Sequence, residues 1–443
     1  MKRRRRLKIS YFQMVLLGFL GVIFLGALLL TLPIASKARV ETPFLNALFT
    51  STSAVCVTGL VVYDTATYWS FFGQALILLL IQIGGMGVLM VATSIAVLSG
   101  KKLGLFGKDA MRENFSAESI GGIENLIGFV LKGVLILELA GMLLLVPAFC
   151  SDYGWKGIWF AIFHSISALC NAGFDLMGSV EGPFSSLTAY AGSPYVNAIV
   201  MFLIVAGGIG FLTWEDVCKH KFHFRKYKTQ SKVILWTTFF LILLPALCFF
   251  FFEFEDEPTS RKVLLSLFQS VTPRTAGFNT ANLSAMGGLG QRITIFLMLV
   301  GGSPASTAGG MKTTTFAVLV ASMIAVFRKQ NDVSFFRRRV SGDTLKKASA
   351  LLVIYLFLFF FSGIAISALE GFPISDCLFE TASAIGTVGL SMGITSTLGP
   401  ISKVILMALM FFGRVGGLTL IYAAVGRDTI DEAQYPIDQI TVG

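Results

Sequence analysis

The apolar segments of this 443-residue chain restrict its fold more than any other feature. Eight of them are long enough, or nearly long enough, to cross the ~30 Å hydrocarbon layer of a membrane as helices. They lie at about 11–33, 71–98, 123–149, 194–217, 233–252, 290–327, 348–369 and 401–425. Only 14% of the residues are charged, whereas soluble domains average about 25%. We therefore predict an all-α polytopic membrane protein with eight spanning helices and exclude a soluble fold.

The eight spans form four consecutive pairs, and one shorter apolar stretch lies between the two members of each pair. These four stretches are too short to cross the membrane. They fall at roughly 43–54, 155–169, 261–272 and 374–385. If they re-enter the membrane from one side, most of the 35 Lys and Arg residues fall on a single face. The positive-inside rule assigns this face, together with both chain termini, to the cytoplasm.

Each short stretch ends in an eight-residue segment with glycine at its seventh position. The segments are SAVCVTGL (Ser53–Leu60), SALCNAGF (Ser167–Phe174), VTPRTAGF (Val271–Phe278) and SAIGTVGL (Ser383–Leu390). Ten residues before the glycines stand Phe49, Phe163, Leu267 and Phe379. This recurrence predicts four tandem repeats of helix, short pore helix, loop and helix, with bounds at 1–118, 119–228, 229–342 and 343–443.

Irregular backbone at membrane depth is tolerated where it lines an aqueous path. Four glycine loops around one axis would surround that path with carbonyl oxygens, which can replace the hydration shell of a monovalent cation. We therefore predict one pseudo-fourfold ion pore with a selectivity filter, in preference to four unrelated turns. The predicted filter residues are Val57, Thr58, Gly59, Asn171, Ala172, Gly173, Thr275, Ala276, Gly277, Thr387, Val388 and Gly389.

A run of small residues interrupts the sixth apolar segment. Inside a helix, glycine costs ~1 kcal/mol and proline ~3 kcal/mol, so this run predicts a helix broken within the membrane. We expect the resulting loop to block the pore beneath the filter and to move aside on activation. The loop residues are Gly301, Gly302, Ser303, Pro304, Ser306, Thr307, Gly309, Gly310 and Lys312. Lys312 is expected to tether the loop to an acidic or carbonyl partner.

Arg414 is a charged residue whose position inside a predicted span the membrane topology does not explain. It replaces the second glycine of a pair that the other repeats carry in IGGMG (Ile83–Gly87), AGGIG (Ala206–Gly210) and VGGSP (Val300–Pro304). An arginine at the centre of a span costs ~2.5–3.5 kcal/mol on insertion scales and usually marks an ion path. We expect Arg414 to set an electrostatic barrier below the filter, with Glu138 and Glu380 as candidate partners. A structural salt bridge is the alternative.

Two further charged features remain open in the sequence. Arg274, in the third glycine segment, either repels cations at the pore mouth or points away and pairs with a carboxylate; we expect the second. The acidic run at 253–257 either forms an outer vestibule that concentrates cations or is a solvated loop.

These motifs resemble the Trk/Ktr/HKT superfamily of potassium transporters, most closely the bacterial KtrB-type membrane subunit. The four glycine loops carry the resemblance, together with GGSPASTAGGMKTTT (Gly301–Thr315) and FFGRVGGLT (Phe411–Thr419). It implies K⁺ uptake across the bacterial plasma membrane, with K⁺ bound by the filter carbonyls. It also implies a homodimer with a cytosolic ring of KtrA-type subunits, through which alone nucleotide would act. Gly59, which sodium-selective plant relatives replace by serine, favours K⁺ over Na⁺.

Other functions stay open at this point. One is a Na⁺-selective or poorly selective channel, and another is a non-conducting receptor or scaffold with a pore-like fold. Na⁺ is also left open as a coupling or activating ion, and the basic cytoplasmic loops suit membrane lipids or an acidic partner surface. We predict no enzyme, because the chain shows no nucleophile–base arrangement and no phosphate loop. We also predict no nucleic-acid partner, because the net charge of +10 follows the membrane topology.

Overall fold

The computed structural model describes residues 11–98, 123–417 and 419–420. Most of these residues are helical, and a two-stranded hairpin pairs β1 (Ser334–Phe335) with β2 (Arg338–Arg339) in antiparallel register. The Lys and Arg residues at 2–8 and 101–112, and Arg427, belong to the face that the positive-inside rule assigns to the cytoplasm, but they lie outside the described residues.

The first half of the chain shows a long helix, a short helix and then a broken helix, twice over. Its first unit contains α1 (Tyr11–Thr31), α2 (Phe44–Val55), α3 (Thr65–Tyr68), α4 (Phe71–Met86) and α5 (Val88–Leu98). The second unit contains α6 (Ile123–Tyr153), α7 (Lys156–Leu169), α8 (Pro194–Gly208) and α9 (Phe211–His220). A serine side chain caps the N-terminus of the broken helix in both units. Ser70 accepts a hydrogen bond from Gly73 N at the start of α4, and Ser193 accepts one from Val196 N at the start of α8.

The second half repeats this order. The third unit contains α10 (Thr229–Phe252), α11 (Thr259–Val271), α12 (Gly288–Leu299) and α13 (Thr313–Phe327). The fourth unit contains α14 (Gly342–Glu370), α15 (Ile374–Gly386) and α16 (Pro400–Val415). The four short helices α2, α7, α11 and α15 therefore coincide with the four short apolar stretches of the sequence.

Four helices of the described chain are individually long and apolar enough to cross a membrane, namely α1, α6, α10 and α14. A fifth crossing results if α8 and α9, which meet at a 102° bend, count as one span. A multi-pass membrane protein is thus confirmed, but the eight spans are not eight continuous helices. The part of the expected span 401–425 beyond residue 420 lies outside the described residues.

The breaks fall at one aligned glycine in three of the units. Gly87, Gly210 and Gly416 have φ of 85°, 91° and 90°, and each follows the glycine-rich end of a helix. An L-residue rarely adopts this conformation, so glycine ends the helix there. The sequence predicted a break only in the sixth segment, where α12 and α13 are separated by residues 300–312. The structure corrects this expectation, because the third helix is also interrupted in the first and second units, at Gly87 and Gly210, and in the fourth unit α16 ends at Val415, just before Gly416.

The protein core lies around the short helices. Phe49 on α2, Phe163 on α7, Phe268 on α11 and Phe379 on α15 are among the largest fully buried side chains. The long helices instead expose apolar residues such as Phe357 on α14. The fold thus buries the short helices and the loops that follow them, and it presents the long helices outward.

Candidate functional site

The glycine segments that follow the short helices share one unusual backbone pattern. In all four, φ is positive at the fifth and the seventh positions. The fifth residues are Val57 (56°), Asn171 (57°), Thr275 (77°) and Thr387 (51°), and the seventh are Gly59 (90°), Gly173 (68°), Gly277 (78°) and Gly389 (96°). Inverted φ at alternate residues turns consecutive carbonyl groups toward one side, whereas in a regular strand they alternate. The four segments therefore have the backbone that a carbonyl-lined path requires.

The four segments also meet in a closed ring. A Cβ atom added to Gly59 would lie 2.5 Å from Ala172 O, and one added to Gly173 would lie 2.8 Å from Ala276 O. The same addition at Gly277 would collide with Val388 O, and at Gly389 with Thr58 O. Each glycine thus packs against the carbonyl that precedes the next glycine, and the fourth segment packs against the first. Even a methyl group would disrupt this contact.

Three buried hydroxyls of this ring have no hydrogen-bond partner in the described part of the chain. They are the Oγ1 atoms of Thr58, Thr275 and Thr387. Buried polar groups in proteins are nearly always hydrogen-bonded. Three orphan oxygen atoms in one ring therefore suit a ligand that binds oxygen, such as a cation.

Hydroxyl side chains at the start of the segments form hydrogen bonds with the backbone at or just after the ring glycines. Ser53 Oγ accepts a bond from Gly59 N at 3.0 Å, and Ser383 Oγ accepts one from Gly389 N at 3.0 Å. Ser167 Oγ donates to Phe174 O at 2.7 Å. The sequence reasoning missed this role, although serine at the first position of three aligned segments was a visible signal.

The third segment is shifted by one residue in its anchors. Thr272, one position later than the serines, donates to Phe278 O, and Phe268 rather than the aligned Leu267 is fully buried. Arg274 is also buried, and its Nη2 donates to Thr238 Oγ1 on α10 at 3.4 Å. The expectation of a carboxylate partner for Arg274 was therefore wrong, because the group that faces it is a threonine hydroxyl.

The glycine pairs bring the broken helices against the same segments. A Cβ atom on Gly84, Gly207 or Gly413 would collide with the carbonyl group of Val55, Leu169 or Ile385, the third residue of its own unit's segment. In the third unit, Gly301 faces Gly309 O instead. The loop between α12 and α13 thus replaces this direct helix contact.

That loop lies against the inner ends of the second and fourth segments. Thr307 Oγ1 donates to Leu169 O at 2.9 Å and is 3.0 Å from the side-chain amide of Asn171. Gly309 packs against the side chain of Thr387. On its other side, Phe211 N at the start of α9 donates to Ala305 O at 2.7 Å. The structure therefore brings the predicted loop to the predicted filter residues.

Two cations hold the loop through carbonyl oxygens. Arg414 Nη1 donates to Thr307 O, and Nη2 donates to Gly84 O and, at 2.9 Å, to Gly85 O. Lys312 Nζ donates to Ala308 O at 2.8 Å within the loop. The last carbonyls of a helix lack intrahelical partners and carry partial negative charge, so the end of α4 suits a guanidinium.

The two carboxylates expected to pair with Arg414 have other partners. Glu380 accepts bonds from Ser391 Oγ at 2.6 Å and from Met392 N at 2.9 Å, and so holds the segment beyond Gly389. Glu138 is buried, and the side chain beside its carboxylate is that of Gln82. That pairing expectation was wrong, because matching depth along the sequence says nothing about which side of the ring a residue occupies.

A cavity of about 240 Å³ opens on the other side of the ring from the loop. All four segment glycines line it, together with Asp64 and Asp175. The acidic run at 253–257 lies elsewhere, in a separate groove where Glu257 is 3.5 Å from Arg261 Nε. The acidic groups over the ring therefore come from the segments beyond Gly59 and Gly173.

A multi-pass helical fold with four glycine segments joined in one ring defines the class of polytopic membrane ion transporters. The chain belongs to the TrkH family, described as "Cation transport protein", whose sequence profile matches residues 10–430. The family consists of membrane ion transporters and not of enzymes.

Its relatives include proteins of similar length. The chain is 36% identical to "Potassium/sodium uptake protein NtpJ" of Enterococcus hirae, over 100% of this chain and 99% of that protein. It is 37% identical to "Ktr system potassium uptake protein B" of Bacillus subtilis, over 97% of this chain and 96% of that protein. The crystal structure of the potassium transporter TrkH from Vibrio parahaemolyticus superposes with a TM-score of 0.73, at 18% identity, and the match covers 96% of this chain and 87% of that one. At that identity the likeness concerns the fold alone.

Proposed function

We propose that this protein takes up K⁺ across the bacterial plasma membrane through a filter formed by the fifth to seventh residues of the four segments. The observation that carries the proposal is the closed ring of glycines, with positive φ at the same two positions of every segment. Backbone carbonyls in such a ring replace the water around a monovalent cation. The relatives named for potassium uptake support K⁺ as the ion.

The loop at 300–312 is the proposed gate, and Arg414 is the proposed barrier. The loop contacts Asn171 and Thr387 on the inner side of the ring, where an ion leaving the filter must pass. Arg414 joins this loop to the end of α4 and places a positive charge in the same region. Opening then requires that the bonds of Thr307 and Arg414 be exchanged for others.

The relatives support a proposal for the assembly around the pore. The name "Ktr system potassium uptake protein B" presents the Bacillus subtilis protein as one component of a system. We place a homodimer in the plasma membrane, with both termini in the cytoplasm and a KtrA-type nucleotide-binding ring beneath it. The four units with bounds at 1–118, 119–228, 229–342 and 343–443 then surround one pore per subunit.

Na⁺ is a second candidate ion, as transported or coupling species. The printed name of the Enterococcus hirae relative includes both potassium and sodium. Selectivity and coupling are separable by experiment, because a coupling ion accelerates K⁺ uptake whereas a competing ion slows it.

The test is ⁸⁶Rb⁺ uptake by the purified full-length protein in liposomes. We expect uptake that excess external K⁺ competes away and that the same concentration of Na⁺ leaves largely intact. A co-expressed cytosolic nucleotide-binding subunit is expected to make the rate depend on ATP or ADP.

Two outcomes would contradict the proposal in different ways. Equal competition by Na⁺ and K⁺ would replace it with a poorly selective cation channel. The absence of any uptake by folded protein, with and without the cytosolic subunit, would favour a non-conducting receptor or scaffold.

A further inference from the structure

The cavity outside the ring contains two carboxylates with different surroundings. Asp64 is buried and its oxygens are fully engaged: Oδ2 accepts from Thr67 N and Thr67 Oγ1, both at 2.8 Å, and Oδ1 accepts from Phe184 N at 2.9 Å. Gly178 packs directly against it. Asp64 therefore joins the chain around α3 to the loop after α7 through hydrogen bonds.

Asp175 is less restrained. It follows Gly173 by two residues and lines the cavity in a half-buried position. Its Oδ1 accepts one bond, from Met177 N at 2.9 Å, and within the described part of the chain Oδ2 makes no hydrogen bond. One carboxylate oxygen is thus available to a cation that approaches the ring from this side.

We propose that Asp175 binds the incoming hydrated monovalent cation at the outer mouth of the filter. This inference rests on the proposed function, since it needs ions to pass through the ring. A single negative charge at the mouth of a narrow path raises the local cation concentration and so lowers the external K⁺ concentration at which uptake is half-maximal.

The other titratable or charged groups on the packed elements have partners of their own: His164 Nε2 is 3.5 Å from Leu176 N, Lys37 donates to Ala66 O, and Glu181 accepts from Thr188.

The experiment compares the half-saturating external K⁺ concentration of wild type, D175N and D175E in liposomes at external pH of about 8. For D175N we expect a value roughly threefold or more above wild type, with unchanged maximal rate. D175E keeps the charge and should keep the wild-type value.

E255Q is the matched control, since it removes one acidic charge from the exposed run outside the cavity and should behave as wild type. The inference is overturned if D175N retains the wild-type half-saturation. It is also overturned if folded D175N loses its maximal rate, since the residue would then hold the filter rather than recruit the ion. If wild-type protein transports no K⁺, the proposed function itself fails.

Discussion

Arg414 keeps its full charge in the structure, because its partners are carbonyl oxygens and not carboxylates. A guanidinium bonded to neutral acceptors still repels a cation, whereas one paired with a carboxylate does so far less. The sequence predicted the importance of this residue from its replacement of a glycine. It did not predict the partners, since those come from the C-terminal end of α4 in the first unit and from a loop of the third unit, 107 residues before Arg414.

Replacing Arg414 by glutamine should therefore accelerate K⁺ uptake. We expect about a tenfold higher rate at saturating K⁺, which corresponds to ~1.4 kcal/mol of barrier. Two unit charges 4 Å apart interact by ~4 kcal/mol at an effective dielectric of 20, so a tenfold change is a modest demand. The measurement is ⁸⁶Rb⁺ flux into liposomes.

Two further variants distinguish the effect of the Arg414 charge on the uptake rate from the effect of its hydrogen bonds. R414K keeps the charge but loses the forked geometry, so a wild-type rate would identify the charge as the barrier and an R414Q-like rate would identify the bonds. R292Q, at an exposed arginine of α12, is the matched control. Unchanged rate and affinity in folded R414Q would refute the barrier.

At the scale of elements, the broken helices explain how irregular backbone persists inside an apolar protein. Ser303 N donates to Gly208 O at 2.9 Å, and Gly310 N donates to Gly413 O at 3.1 Å. The helix ends of α8 and α16 thus supply the acceptors that the loop requires, and the loop satisfies carbonyls that the helix ends would leave unpaired. The loop and the helix ends stabilise each other.

Deleting Ser303–Gly309 should raise ion flux while K⁺ still outcompetes Na⁺. The reason is that the loop contacts the inner ends of the segments, whereas the glycine ring has its own internal contacts. A milder variant, T307V, loses the bonds with Leu169 O and Asn171. One hydrogen bond contributes about 1 kcal/mol, so roughly a fivefold shift toward the open loop is expected.

S306A is the control for the contacts between loop and ring, because the Ser306 hydroxyl donates to Ser303 O and accepts from Ala308 N inside the loop and does not reach the ring. We expect a smaller change in flux from it than from T307V. If the deletion variant folds as a dimer and its flux equals that of wild type, the loop is not the gate.

Sequence reasoning succeeded for elements with a repeated signal and failed where one unit departs from the others. The four glycines and the positions of α2, α7, α11 and α15 could be predicted because each occurs in the same register. The shift of Phe268 and Thr272 could not, because an ungapped alignment on Gly277 hides that the third segment has one residue fewer between these anchors and its glycine. The helix breaks at Gly87 and Gly210 were missed since a lone glycine fits equally well in a close helix contact.

At the scale of the whole molecule, the ring is where residues far apart in sequence depend on one another. Gly389 packs against the Thr58 carbonyl, so the last unit closes on the first. An ion bound in this ring, as we propose, would be held by all four units and would bind the folded chain only. Ion binding and global stability are therefore linked.

Potassium should accordingly protect the full-length protein against thermal unfolding. At a concentration 100 times the dissociation constant, a ligand that binds only the folded state adds about 2.7 kcal/mol. We expect a higher melting temperature in KCl than in N-methyl-D-glucamine chloride of equal ionic strength, measured in detergent. G59A should abolish the difference, because its methyl group would lie 2.5 Å from Ala172 O in the ring. G21A should keep it, because α1 leaves open space around Gly21; a K⁺-dependent shift that survives in G59A would place the stabilising ion outside the ring.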